Sequence, residues 1–166
     1  MKNTPHISNA LEEALSDICD YIHKLVAHYL PEEYTEIKAF VDVLPLNHVP
    51  TSYPFSSFVI NIHAATKGHK DGKDKKFCCV APFGTWAQGQ LVLYEPGIVL
   101  DLTPGDVVIF PSCHITHFNL HIDGVRCSLT LFSDNHGQDW VRFRNGWQDH
   151  IVVKEPSSSS NAGIEV

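Results

Sequence analysis

Past residue 57 the chain is written as short β-rich runs cut by glycine, proline and aspartate, and no other feature limits the possible fold as strongly. The runs fall at 58–62, 77–80, 90–94, 98–102, 106–110, 116–122 and 125–132. Short strands at this spacing, with turn residues between them, predict an antiparallel sandwich or jelly roll. Ahead of them, Ile7, Leu11, Leu15, Ile18, Ile22, Leu25 and Tyr29 recur in steps of three and four. That stripe predicts an amphipathic helix over about 7–30 that lies on a sheet. Asn9 and Glu12 have the offset of a cap and its reciprocating carboxylate, and Pro31 closes the pattern. The expected class is mainly β with flanking helices.

A length of 166 residues suits one domain with a real core. That domain is expected to span 1–153, with a β core of about 55–133. The Pro-Ser-Ser-Ser-Ser-Asn-Ala-Gly composition after Glu155 predicts a disordered tail over 154–166. No apolar stretch approaches the ~20 residues of a membrane span, so no membrane partner is expected, and the chain is expected to be soluble and intracellular. Its five cysteines show no metal or redox spacing. Cys78 and Cys79 are adjacent in a strand-like run and are expected to be small core residues.

Twelve basic against nineteen acidic side chains give a net charge of −7, which argues against nonspecific binding to nucleic acid. Charge is nevertheless local. Lys67, Lys70, Lys73, Lys75 and Lys76 cluster around two aspartates. They form either a solvated loop or a rim that contacts phosphates.

Within that loop stands His69-Lys70-Asp71. In extended chain, residues i and i+2 project to the same side, so imidazole and carboxylate can share a metal. Eleven histidines make such a pair cheap by itself. More specific is the stretch from His114 to Ser128. Asp123-Gly124 between two alternating runs predicts a two-residue hairpin, in which His117 faces Thr130, Asn119 faces Ser128 and His121 faces Arg126. Alternation then puts His117, Asn119, His121, Arg126, Ser128 and Thr130 on one face, with Phe118, Leu120, Ile122, Val125, Cys127, Leu129 and Leu131 on the other. The apolar face calls for the helix as cover. The polar face lies inside the barrel, where it is costly unless satisfied or occupied by a ligand. Two histidines and a carboxylate on one side of an iron leave positions for a bidentate 2-oxo acid and O₂. The planar fork of Arg126 suits the far carboxylate of such an acid, and Ser128 can donate to it as well.

These residues resemble the Fe(II)/2-oxoglutarate-dependent dioxygenases: His69-x-Asp71 resembles the proximal ligand pair, His117 the distal histidine, and Arg126-x-Ser128 the co-substrate carboxylate site. More narrowly, residues 61–132 resemble the Tet/JBP-type branch, including its domains associated with fungal mobile elements. The shared features are Gly84, Trp86, Gly89, Leu91 and Leu93 after the ligand pair, then Gly105-Asp106, then the histidine and arginine. The resemblance implies a double-stranded β-helix, Fe(II), 2-oxoglutarate and O₂. It further implies oxidation of a methylated base, 5-methylcytosine or N6-methyladenine, in DNA or RNA, with nuclear localisation if that holds. Asn61 stands where related oxygenases carry an asparagine that bonds the 2-oxoglutarate. Ala87-Gln88-Gly89 departs from the expected paired glycines, so Gln88 is expected to perturb a turn that lines the pocket.

Several alternatives stay open. His114 replaces His117 as ligand if a bulge follows Pro111. Asn119 and His121 line the pocket or satisfy backbone. Trp140, Phe143 and Trp147, at helical spacing, pack in the core or stack on bases. The substrate can also be a small molecule or a protein side chain. Two other classes remain: a jelly-roll binding module without turnover, and a cupin-like protein with another metal held by His69, His114 and His117. Oligomeric state is not legible.

Overall fold

The computed structural model describes residues 5–46 and 48–143. The first element is the amphipathic helix α1 (Pro5–Tyr29). It begins earlier than the Asn9–Glu12 pattern implies, so Asn9 lies inside the helix rather than at its cap. Of the apolar stripe, Ile22 is fully buried together with Cys19 and Val26, whereas Ile7, Leu11 and Tyr29 at the ends are exposed. Pro31 both ends this helix and opens a second, α2 (Pro31–Val41). A proline fits the first helical turn because the missing N–H has no partner there anyway. Ile37, Phe40 and Val41 form the buried face of α2.

The strands follow: β1 (Ser57–Ile62), β2 (Cys78–Gln88), β3 (Leu91–Leu93), β4 (Ile98–Leu100), β5 (Val108–Phe110), β6 (His117–Asn119) and β7 (Ile122–Phe132), then a short helix α3 (Gly137–Phe143). They make two antiparallel sheets, one in the order β1-β7-β2-β5 and one in the order β4-β3-β6. The expected β class with flanking helices is found.

The four-stranded sheet sorts its side chains cleanly. Leu129 and Leu131 of β7, Cys79 and Ala81 of β2, and Phe58 and Ile60 of β1 pack with Cys19, Ile22, Val26, Ile37 and Phe40 of the helices. Leu129, Leu131, Ile22, Val26 and Ile37, each almost fully buried, contribute roughly 1.5–3 kcal/mol apiece. The alternate positions Asn61, Val80, Arg126, Ser128 and Thr130 face the space between the sheets.

The expected hairpin at Asp123-Gly124 is absent. Asp123 and Gly124 lie within the continuous strand β7, paired with Ala87 and Trp86 of β2, while His117 and Asn119 belong to the other sheet. Gly124 is required for a different reason: its φ is +102°, and a Cβ there would lie 2.6 Å from the Thr85 carbonyl oxygen. Without the turn, alternation runs unbroken along β7. Ile122, expected on the helix side, is buried against the interior cavity, and His121, expected inside, is exposed. The expected tail, 154–166, and Trp147 lie outside the described residues.

Candidate metal centre and its cavity

A cavity of about 270 Å³ lies between the two sheets, and its wall includes His69, Asp71, His117, Asn61, Arg126 and Ser128. The iron-ligand set His69, Asp71 and His117 and the co-substrate contacts Asn61, Arg126 and Ser128 therefore line one space, and the alternative ligand His114 does not.

His69 reaches it by backbone pairing. Its N–H donates to the His117 carbonyl at 3.2 Å and its carbonyl accepts from the His117 N–H at 2.9 Å, so the loop residue extends β6's sheet by one rung. Asp71 is fixed two residues on, its N–H donating to the Ser112 carbonyl at 3.0 Å. The result is a cluster in which one ligand atom each from His69, Asp71 and His117 lies within 4.8 Å of the others. His114 is exposed and outside this cluster.

Both imidazoles are oriented from behind. His69 Nδ1 lies 2.8 Å from the Lys67 carbonyl oxygen, and His117 Nδ1 lies 3.0 Å from that of Ile115. A carbonyl only accepts, so each Nδ1 carries the proton and each Nε2 turns its lone pair toward Asp71. The Nε2 atoms sit 3.5 Å and 3.4 Å from the Asp71 carboxylate oxygens. Two lone pairs and a carboxylate facing one another repel unless a cation sits among them, a proton or a metal. Burial alone lowers the pKa of His117, but its contact with Asp71 and the Ile115 carbonyl outweighs this and raises it. Hydrogen bonding to His117 holds the Asp71 carboxyl below its usual range. The donor set fits an intermediate or borderline divalent metal such as ferrous iron.

The far side of the cavity carries a charge without a counter-charge among the described residues. Arg126 is 5% exposed. Its Nη1 donates to the Gly89 carbonyl at 2.6 Å and to Asn119 Oδ1 at 2.7 Å, and its guanidinium carbon lies 5.6 Å from the Trp86 ring centre. Its Nε is buried with no partner, and among the described residues no carboxylate pairs with it. Burial accordingly depresses its pKa. Gln88, in the turn before β3, adopts the left-handed φ of +61° and is followed by Gly89 at +75°, whose carbonyl accepts from Arg126. Asn61, also on the cavity wall, has its Nδ2 3.4 Å from Thr130 Oγ1.

One residue escaped the sequence reading. Asp74 lines the same cavity, accepts a 2.8 Å hydrogen bond from Ser112, and has its pKa pushed up to about 6 by burial, with repulsion from Asp71 and Asp134 adding and the Ser112 bond opposing. The lysine-rich loop is partly committed to its own chain. Lys70 pairs with Glu95 at 2.8 Å, Lys76 pairs with Glu36, and Lys75 lies 4.6 Å above the Phe40 ring. Trp140 donates its indole N–H to the Val43 carbonyl, which places it against the turn after α2. All five cysteines are free thiols, with Cys78 and Cys79 buried as expected.

No protein-family model matches the sequence, and no curated protein matches it. Solved structures do. NgTET1, in complex with 5mC DNA, superposes with a TM-score of 0.66 at 21% identity, covering 84% of this chain and 61% of that one. This chain has the fold of NgTET1. It spans somewhat under two thirds of the NgTET1 chain. A 2OG-Fe(II) oxygenase family oxidoreductase from Burkholderia pseudomallei also matches, with a TM-score of 0.41 and 21% identity over 52% of this chain and 50% of that one. Within the NgTET1-like fold, the metal-compatible cluster and Arg126 stand on the two facing sheets, one at each side of the cavity.

Proposed function

We propose that this chain is an Fe(II)- and 2-oxoglutarate-dependent dioxygenase. His69, Asp71 and His117 would hold the iron, and Arg126, with Ser128 and Asn61 beside it, would hold the far carboxylate of 2-oxoglutarate. The observation that carries the reading is Arg126 itself. A buried guanidinium lacking a carboxylate among the described residues, with an unpartnered Nε, is a costly arrangement that an anionic ligand relieves. The donor set at the other side fits the metal to which such an anion would also bind.

When bound, ferrous iron supplies the O₂ chemistry that converts 2-oxoglutarate to succinate and carbon dioxide and oxidises a substrate C–H bond. The protein's part is positional. The Lys67 and Ile115 carbonyls fix the two imidazole tautomers, the Ser112 carbonyl anchors Asp71, and the sheets hold Arg126 across the cavity from the triad.

For the substrate we propose a methylated nucleobase, 5-methylcytosine or N6-methyladenine, in DNA or RNA. The support is the shared fold with NgTET1, a protein seen bound to 5mC DNA. A base within a duplex would have to be flipped out to reach the cavity. A second reading, a small molecule or protein side chain, is favoured by the commitment of Lys70, Lys75 and Lys76 to intramolecular partners.

The test is succinate formation by anaerobically reconstituted protein after admission of O₂, with and without methylated oligonucleotides, followed by mass spectrometry of the digested nucleosides. Iron- and 2-oxoglutarate-dependent succinate with an oxidised or demethylated base supports both levels of the proposal. Succinate that no methylated DNA or RNA stimulates removes the nucleobase and leaves the dioxygenase. No succinate under any condition leaves a binding module.

A further inference from the structure

A contact between the two sheets, from Arg126 on β7 to Asn119 on β6, ties the two sites together. Asn119 lies on β6 two residues from His117, so both side chains project from the same face of that strand. Its Oδ1 accepts from Arg126 Nη1 at 2.7 Å, and the Gly89 carbonyl accepts from the same nitrogen at 2.6 Å. Those two acceptors use both hydrogens of Nη1. The fork is thereby pinned by one prong: Nη1 makes both of the hydrogen bonds that the guanidinium forms with described residues, and Nε is buried and unpartnered. Nε–H and Nη2–H are parallel donors along one edge of the guanidinium, the geometry that takes a carboxylate in two hydrogen bonds.

We propose that Asn119 is a positioning residue. By neutral hydrogen bonding to Nη1 it orients Arg126 so that the Nε–Nη2 edge receives the carboxylate of the oxo acid, and it links that grip to the strand that carries His117. The proposal rests on the dioxygenase reading for the identity of the anion. The neutrality of the amide matters: an acceptor is needed to aim the fork, and a charged one would take the place of the ligand. Asparagine and aspartate have nearly the same shape, so the two requirements can be separated by one substitution.

Full-length Asn119→Asp and Asn119→Ala proteins, loaded anaerobically with Mn(II), are titrated calorimetrically with 2-oxoglutarate, and the metal-free proteins are melted. Asn119→Asp is expected to raise the metal-free melting temperature, because the buried cation gains a counter-charge, and to weaken 2-oxoglutarate binding by about tenfold or more. Asn119→Ala is expected to weaken that binding without raising the melting temperature. Mn(II) affinity should be unchanged in both. A residue that only filled space would not move stability and affinity in opposite directions. In an Arg126→Met background, Asn119→Asp should lose its stabilising effect. Unchanged 2-oxoglutarate affinity in Asn119→Asp, a melting temperature that falls with the affinity, or stabilisation that persists without Arg126 would each overturn the proposal. Absence of 2-oxoglutarate binding by the unaltered protein would instead refute the dioxygenase reading, and the melting comparison would still decide whether Asn119 holds Arg126.

Discussion

The two sides of the cavity are built on opposite electrostatic terms. At one, Asp71 stands between two imidazoles 3.4 Å and 3.5 Å away, so a proton suffices to hold the metal-free cluster together. At the other, Arg126 is buried beside an amide and a carbonyl, with no opposite charge paired to it among the described residues. The first side can satisfy itself; the second cannot. The lesson is that the triad identifies what the site can hold, whereas the arginine identifies what it still lacks.

Breaking the self-satisfied side should have the largest effect. His69→Ala, Asp71→Ala and His117→Ala are each expected to abolish tight Fe(II) binding, while His114→Ala retains it, measured by elemental analysis after anaerobic loading. Breaking the unsatisfied side should act differently. Arg126→Leu is expected to keep iron and to raise the melting temperature of the ligand-free protein, because an apolar side chain replaces an unpaired buried charge. The same variant should lose ligand-induced stabilisation by 2-oxoglutarate, since hydrogen bonds to a charged group are worth about 1.5–3 kcal/mol.

Why these residues could be read from sequence, and others not, is a matter of how local the signal is. His69 and Asp71 share a side through their spacing, and Arg126, Ser128 and Thr130 share one through strand alternation, so the candidate set converged even though the hairpin proposed to join it does not exist. The residues nearest the supposed turn are the ones that change sides, His121 outward and Ile122 inward. An Asp-Gly pair signals a glycine requirement, but here the requirement comes from the Thr85 carbonyl on the neighbouring strand, a contact distant in sequence. The helix α2 was legible in the spacing of Ile37, Phe40 and Val41, and was obscured by taking Pro31 only as a terminator. Asp74 was hidden for another reason: only the tertiary closeness of Ser112 and Asp71 sets it apart from a solvated loop carboxylate.

Asp74 also offers a smaller, pH-dependent test. Its folded-state pKa, near 6, is above the ordinary aspartate value of about 3.9. A raised carboxyl contributes stability that is complete below the unfolded value and is lost as pH rises through the folded one. Asp74→Asn should therefore stabilise the metal-free protein at pH 8, and the advantage should shrink as pH falls through 6, as followed by thermal melts. A pH-independent difference would contradict the burial account.

The smallest effect is expected at the loop. Among its lysines, Lys67 and Lys73 make no ion pair or ring contact with the described residues, so neutralising these two should flatten the salt dependence of any nucleic-acid binding more than neutralising Lys75 and Lys76, which are held by Phe40 and Glu36. Filter-binding measurements across a salt series would show it. Equal slopes would mean that these contacts open when nucleic acid binds.

The central claim, that the unpaired arginine and the metal-compatible triad serve one anion, is tested most directly by anaerobic titration of the Fe(II)-loaded protein with 2-oxoglutarate, following the visible charge-transfer absorption of iron bound to a 2-oxo acid. The account predicts a saturable band in the unaltered protein that requires far higher 2-oxoglutarate in Arg126→Leu and is absent from Asp71→Ala. A band that saturates at the same concentration with and without Arg126, or no band in an iron-replete unaltered protein, would contradict it.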